Sequence, residues 1–183
     1  MKSLHTSTLA FDIVHFFPFL NHQLLPMILN KASFDSKISQ FFSSYLINRQ
    51  TQYVWNYFTS PFFRANVSIG QKSALSLILS AFYIASIFHI FEKRAKNLSI
   101  SVSFLLFVNN GLFVSQEKIY KKSNANLFCS YNIISSLFNQ FGLVIEHNKS
   151  EVFHFSRSTN NINPPLLYLS PVGGTILRSK DTW

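Results

Sequence analysis

Carboxylates are scarce in this chain. Asp and Glu together number 7 against 16 Lys and Arg, so the formal net charge is +9 and the pI about 9.8. Cysteine is nearly absent: the single Cys129 excludes an internal disulfide framework and fits a reducing compartment. Five glycines and six prolines in 183 residues exclude collagen-like and linker-like chains. Charged residues make up 13% against 48% hydrophobic, the reverse of what a disordered chain needs. There is no GxGxxG or P-loop glycine pattern and no GxSxG nucleophile elbow. The six histidines show no compact zinc spacing, since His15 and His22 are seven apart, as are His147 and His154. What abounds is aromatic, with 21 Phe alone. The length suits one domain or a piece of a larger one.

The basic balance has two ordinary meanings: an electrostatic footprint for nucleic acid, or attraction to an anionic membrane surface. The cations are scattered, the tightest groups being Lys93–Lys96 and Lys118–Lys122. One stretch, Ser73 to Phe91, carries no formal charge over 19 residues, close to the length of a membrane span. Ser73, Ser76 and Ser80 line one face of it, which suits a close-packed helix of a soluble domain equally. His5 and Asp12 interrupt any signal-like apolar core at the N-terminus. The expected location is therefore intracellular, in nucleus or cytoplasm, with no signal peptide.

Residues 8–14 form a short β-prone run with one carboxylate, and Pro18 is expected to break the segment. Helical spacing runs from His22 to Ala32, and Asp35 with Ser36 is suited to cap a second helix through Leu46. Residues 51–58 read as a strand, with Phe62 to Ile69 its partner, before the Ser73–Phe91 helix. Residues 101–108 and 112–115 read as strands around an Asn109-Asn110-Gly111 turn, since Asn and Gly tolerate positive φ. A helix follows over 125–141, capped by Gly142, with Cys129 inside its apolar pattern as a core residue. Short strands at 143–145 and 152–155 flank a polar turn, and after Arg157 the composition is that of a loop. Strands mixed with helices around a central hairpin predict an α+β fold with an antiparallel sheet.

Within that order, Asp12 is a carboxylate in an apolar strand, which is costly unless it faces solvent, a partner or a metal. Asn109-Asn110-Gly111 is, taken alone, an ordinary turn sequence needing no chemistry.

Taken together, the segments resemble the palm of a reverse transcriptase, specifically one encoded by a non-LTR (LINE-like) retrotransposon. Phe11-Asp12 with Phe16-Phe17-Pro18 and Leu20-Asn21-His22 resembles the first polymerase motif. There a strand-borne Asp, Asp12 here, binds catalytic metal, and an aromatic, Phe17 here, gates against the ribose 2′-OH. Gly70-Gln71-Lys72-Ser73-Ala74-Leu75-Ser76 resembles the second motif, in which Gln71 and Ser73 would contact nucleotide or template. Phe107-Val108-Asn109-Asn110 occupies the place of the F-x-D-D hairpin. Gly142-Leu143 through Lys149-Ser150-Glu151 resembles the fourth motif, whose Lys, Lys149 here, can protonate the pyrophosphate leaving group.

The resemblance implies a reverse-transcriptase palm-like α+β fold, an antiparallel sheet with packed helices. Residues 1–156 would be a partial palm and 157–183 a C-terminal loop or truncated remnant, with fingers and thumb largely missing. It implies an RNA-directed DNA polymerase ancestry, with RNA template, DNA primer, dNTP and Mg²⁺. Nucleotidyl transfer of that kind uses two Mg²⁺ about 4 Å apart, held by anionic oxygens. Here both hairpin Asp positions are Asn, so of three expected anionic ligands only Asp12 remains. The second-motif Gly is Lys72, and the Pro expected after Leu75-Ser76 is Leu77. The implied protein is catalytically inactive. Asp to Asn and Pro to Leu are each a single G-to-A or C-to-T transition, Gly to Lys two, and the chain holds 16 Asn against 3 Asp. The expectation is a retrotransposon relic decayed by that bias. Two readings stand beside it: a non-catalytic protein with weak nucleic-acid binding, and an apolar protein associated with membranes through Ser73–Phe91, the resemblance itself implying no membrane.

Overall fold

The computed structural model describes residues 4–32, 34–65, 69, 74–155, 167–169 and 176–177. The chain divides into two compact units, one made of residues 1–14 and 87–183, the other of 15–86.

The first unit is built on a four-stranded antiparallel sheet of order β6-β7-β1-β8, comprising β1 (His5–Val14), β6 (Ser103–Phe107), β7 (Asn110–Glu117) and β8 (Val144–Phe155). Strand alternation sorts its two faces. Ser7, Leu9, Phe11 and Ile13 of β1 are buried, while the residues between them are half-buried. Helix α5 (Tyr120–Gln140) lies against the buried face, and Leu127, Tyr131, Ile134, Leu137 and Phe138 follow its helical period into the core. Phe11 is central there: its ring lies 5.5 Å from Phe113 and 6.2 Å from Phe138. Phe104 stacks on Phe88 at 4.3 Å and meets Phe113 at 4.6 Å. Gly142, at φ 76, ends α5 as the sequence predicts.

Several expectations are revised here. The polar 147–150 segment does not reverse the chain. β8 is one strand of 12 residues, antiparallel to β1 both before and after that segment. Cys129 is exposed on α5, not in the core, because Leu127, Ser130 and Tyr131 occupy the buried face of that turn. The hairpin turn is Val108-Asn109, with Asn110 already in β7, and its positive φ falls on Val108 (φ 56). Within 157–183, the described residues include the paired strands β9 (Leu167–Tyr168) and β10 (Ile176–Leu177).

The second unit holds α1 (Phe16–Phe19), α2 (Leu24–Lys31) and α3 (Ser36–Leu46). Pro18 does not break this segment but sits inside α1, in a first turn, where a missing N–H costs nothing. Asp35 caps α3 as expected, its carboxylate accepting from the Lys37 N–H at 2.8 Å. Four short strands follow: β2 (Gln50–Thr51), β3 (Val54–Trp55), β4 (Phe58–Thr59) and β5 (Phe63–Arg64). The expected strand over 51–58 is therefore interrupted. It folds back on itself at Asn56-Tyr57, Asn56 taking φ 51, while β2 still pairs with β5. Helix α4 (Ala74–Asn97) begins in this unit and ends in the other. It is long and apolar enough to cross a membrane, yet Ser76, Leu79, Ser80 and Tyr83 are buried within the fold.

Candidate active site

Asp12 is carried on the open face of the sheet. Register places it opposite Asn110 on β7 and opposite Glu146 on β8, so one row crosses three strands. Residues directly opposite in antiparallel strands project to the same face with Cβ atoms roughly 5 Å apart. Between the Ala10–Glu151 and Asp12–Glu146 pairs, β1 advances by Phe11 alone while β8 runs through His147, Asn148, Lys149 and Ser150. This bulge brings Lys149 back over β1, where its Nζ donates to Asp12 Oδ2 at 3.1 Å. The Asn109 amide donates to the other oxygen, Oδ1, at 2.5 Å, and the Asn110 amide donates to Asn109 Oδ1 at 3.3 Å. The Ile13 N–H donates to the Asn109 carbonyl at 2.8 Å, tying the tip to β1.

Two features hold the hairpin at that place. Gly111 lies opposite Phe11, and a Cβ there would run into the Phe11 ring. That ring is held by the aromatic core beneath it, so Gly is needed for close approach rather than for its φ. Val108 adopts a left-handed conformation that costs a β-branched residue about 1–2 kcal/mol, and the pairing on both sides imposes it.

Of the residues singled out from the sequence, Asp12, Asn109, Asn110 and Lys149 meet at one point. Phe17 lies in α1 of the second unit, half-buried, its ring 5.2 Å from Phe16 and its carbonyl accepting from the Ile69 N–H. Gln71 and Ser73 fall outside the described residues. Glu146 was not singled out from the sequence; the signal for it is the alternation of Val144, Ile145 and Glu146, with Ile145 buried and its neighbours not. Chemically, Asp12 is the anionic oxygen donor of the hydrogen-bonded cluster. Its two oxygens already accept from an ammonium and an amide, so the Asp12–Lys149 pair is neutral and Glu146 is the further carboxylate of the row. Lys149 is open to water at 65% exposure while Asp12 is half-buried at 20%, so the pair is solvent-screened on the lysine side and contributes about 1 kcal/mol or less to stability. Among the described residues, no group of three or more His, Cys, Asp or Glu is placed to hold a metal ion.

Outside the cluster, β8 carries a buried His154 whose Nδ1 is 2.7 Å from Ser7 Oγ and whose ring meets Tyr120 edge-on. Burial lowers its pKa to about 4. Tyr131, beneath the sheet, hydrogen-bonds His147 and is raised above the usual phenol value, mainly by burial.

No family model matches this chain, and no curated protein matches it. Solved structures do. A truncated apo telomerase from Candida tropicalis superposes with a TM-score of 0.64 at 15% identity, over 87% of this chain and 32% of that one. Telomerase from the same organism, in complex with a fragment of telomeric RNA, gives 0.63 at 13% identity, covering 27% of its length. Telomerase from Candida albicans, also with a telomeric RNA fragment, gives 0.52 at 11% identity. The fold is therefore reverse-transcriptase-like, a mixed α/β structure with an antiparallel sheet. The chain spans about a third or less of the length of these structures.

Proposed function

We propose that this chain is the palm portion of a polymerase of the reverse-transcriptase class, of non-LTR retrotransposon ancestry, that no longer performs nucleotidyl transfer. The observation that carries the reading is the Asp12 cluster: a strand carboxylate opposite a β-hairpin tip in a reverse-transcriptase-like fold, with amides where ligand charges are needed. The donor set, two amides with Asp12 and with Glu146 opposite it in the row, does not match the three carboxylates expected around a pair of Mg²⁺ ions. Hard divalent cations at short separation need several anionic oxygens, and amide oxygens are neutral. Lys149 adds a positive charge at the carboxylate itself. The loss of a single preorganised electrostatic contact costs about 3–4 kcal/mol of barrier, a factor of 10² to 10³, and two anionic ligands are replaced here. What the chain retains is a net charge of +9, which favours nucleic acid.

Primer extension on an RNA template with dNTPs and Mg²⁺ tests this directly. The expected result is no template-dependent product above a no-protein control. Synthesis that depends on Mg²⁺ and vanishes in Asp12→Ala would overturn the reading. A binding readout runs in parallel: the Asn109→Asp/Asn110→Asp double variant should gain Tb³⁺ luminescence that the wild-type chain lacks.

A further inference from the structure

We infer that the hairpin formed by β2 to β5 is a binding site for unpaired, single-stranded nucleic acid, separate from the Asp12 cluster. The inference rests on the polymerase-derived reading above but on different residues. Strand alternation places Tyr53 and Trp55 on one face, and the Trp55–Phe58 pair across the turn adds a third ring to it. Phe63 joins them, its ring 5.1 Å from Tyr53. These rings are not core: Tyr53 is 68% exposed, Trp55 76% and Phe58 63%, and Tyr57 at the tip is fully exposed. The platform is held in shape locally. Ser60 N–H donates to the Tyr53 carbonyl, Tyr53 N–H donates to Ser60 Oγ, and Gln52 donates to the Ser60 carbonyl, each at 2.9 Å. The two short ladders thus form one continuous hairpin.

Charge selects the occupant. No Asp or Glu occurs from Ser36 through Phe91, while Lys37, Arg49, Arg64 and Lys72 do. Arg64 is exposed at the base of the hairpin, opposite Gln50. Flat exposed rings on a segment whose only formal charges are cations suit unpaired bases and their phosphate backbone. A second copy of this chain is disfavoured by a net charge of +9 on each partner.

The test uses the full chain and a labelled twelve-nucleotide oligouridine in fluorescence anisotropy. Trp55 emission is followed in a Trp183→Phe background, since these are the two tryptophans. Binding should quench Trp55 and weaken steeply with salt. The Tyr53→Ala/Trp55→Ala variant should lose roughly tenfold or more in affinity, and Trp55→Phe should lose little. Circular dichroism checks that each variant stays folded, and the Trp55 quench in the Trp183→Phe chain does not depend on any hairpin substitution. Unquenched Trp55, or unchanged affinity in the double variant while Lys149→Ala weakens binding, would overturn the hairpin site and leave the palm reading standing. Hairpin-dependent RNA binding in a chain that also extends primers would do the opposite. Partition onto phosphatidylserine vesicles in preference to oligouridine, or self-association in sedimentation that Trp55→Ala abolishes, would also overturn it.

Discussion

Gly111 is set by one neighbour. Its place opposite Phe11 leaves no room for a methyl group, and Phe11 cannot retreat because Phe113, Tyr131 and Phe138 surround it. Gly111→Ala should therefore destabilise the fold by about 2–3 kcal/mol, as overpacking does. In a Phe11→Leu background the added methyl should cost clearly less. A double-mutant cycle by urea denaturation reads that coupling, and strict additivity would show that the clash is relieved elsewhere. In the sequence, Asn109-Asn110-Gly111 suggests a turn in which Asn and Gly tolerate positive φ. The positive φ is instead on Val108, and Gly111 serves close approach. Both roles suit glycine in a sequence, and only the strand opposite distinguishes them. Asp12, Asn109, Asn110 and Lys149 are singled out together only through the resemblance to polymerase motifs, and the fold brings the four side chains to one point. Glu146 is not singled out, because its place depends on pairing with β1.

At the scale of elements, the long periodic segments were the readable ones. Helices α4 and α5, strand β1 and the β6–β7 hairpin all form where expected, though α4 runs on to Asn97 rather than ending at Phe91 and α5 begins at Tyr120 rather than at residue 125. The sequence suggests one strand over 51–58 with a partner over 62–69 where the fold has four short ones, since aromatic and β-branched residues favour strand without saying where it bends. The same limit explains Cys129. An apolar residue in a helical run is equally compatible with either side of the helix until the packing partner is known. Its exposure on α5 gives an expected outcome: Ellman's reagent should titrate one thiol in the native protein at close to the rate seen in denaturant. Cys129→Ser should change stability by less than about 0.5 kcal/mol. Strong protection in the native state would place that face of α5 in an interface.

For the molecule as a whole, pH acts through His154. Its folded pKa, about 4, lies below the ordinary value of 6.5. Between those values the unfolded chain binds a proton that the folded chain excludes. Stability is then full above pH 6.5 and falls as pH drops, the loss ending near pH 4 and reaching about 3 kcal/mol. Urea denaturation at pH 7.5, 5.5 and 4.5 should show that decline, and His154→Gln should flatten it over the same window. An identical slope in the variant would mean that other groups carry it. The partners of this histidine, Ser7 on β1 and Tyr120 on α5, come from segments more than a hundred residues apart, so its burial belongs to the tertiary structure.

Local chemistry was written in the sequence: which segments bury a face, where a helix is capped, and that two amides follow one another at the tip of a hairpin. Those properties depend on a residue and its near neighbours, so composition and periodicity carry them. Tertiary structure decided the rest. It set Asp12 opposite both Asn110 and Glu146, inserted four residues of β8 as a bulge from which Lys149 reaches Asp12, and left Cys129 and the aromatic hairpin exposed. Register and exposure depend on which distant strand or helix becomes the neighbour. The scarcity of carboxylates accordingly has two structural expressions: an Asp12 held by an ammonium and an amide, and a ring-lined hairpin with nothing acidic beside it in the chain.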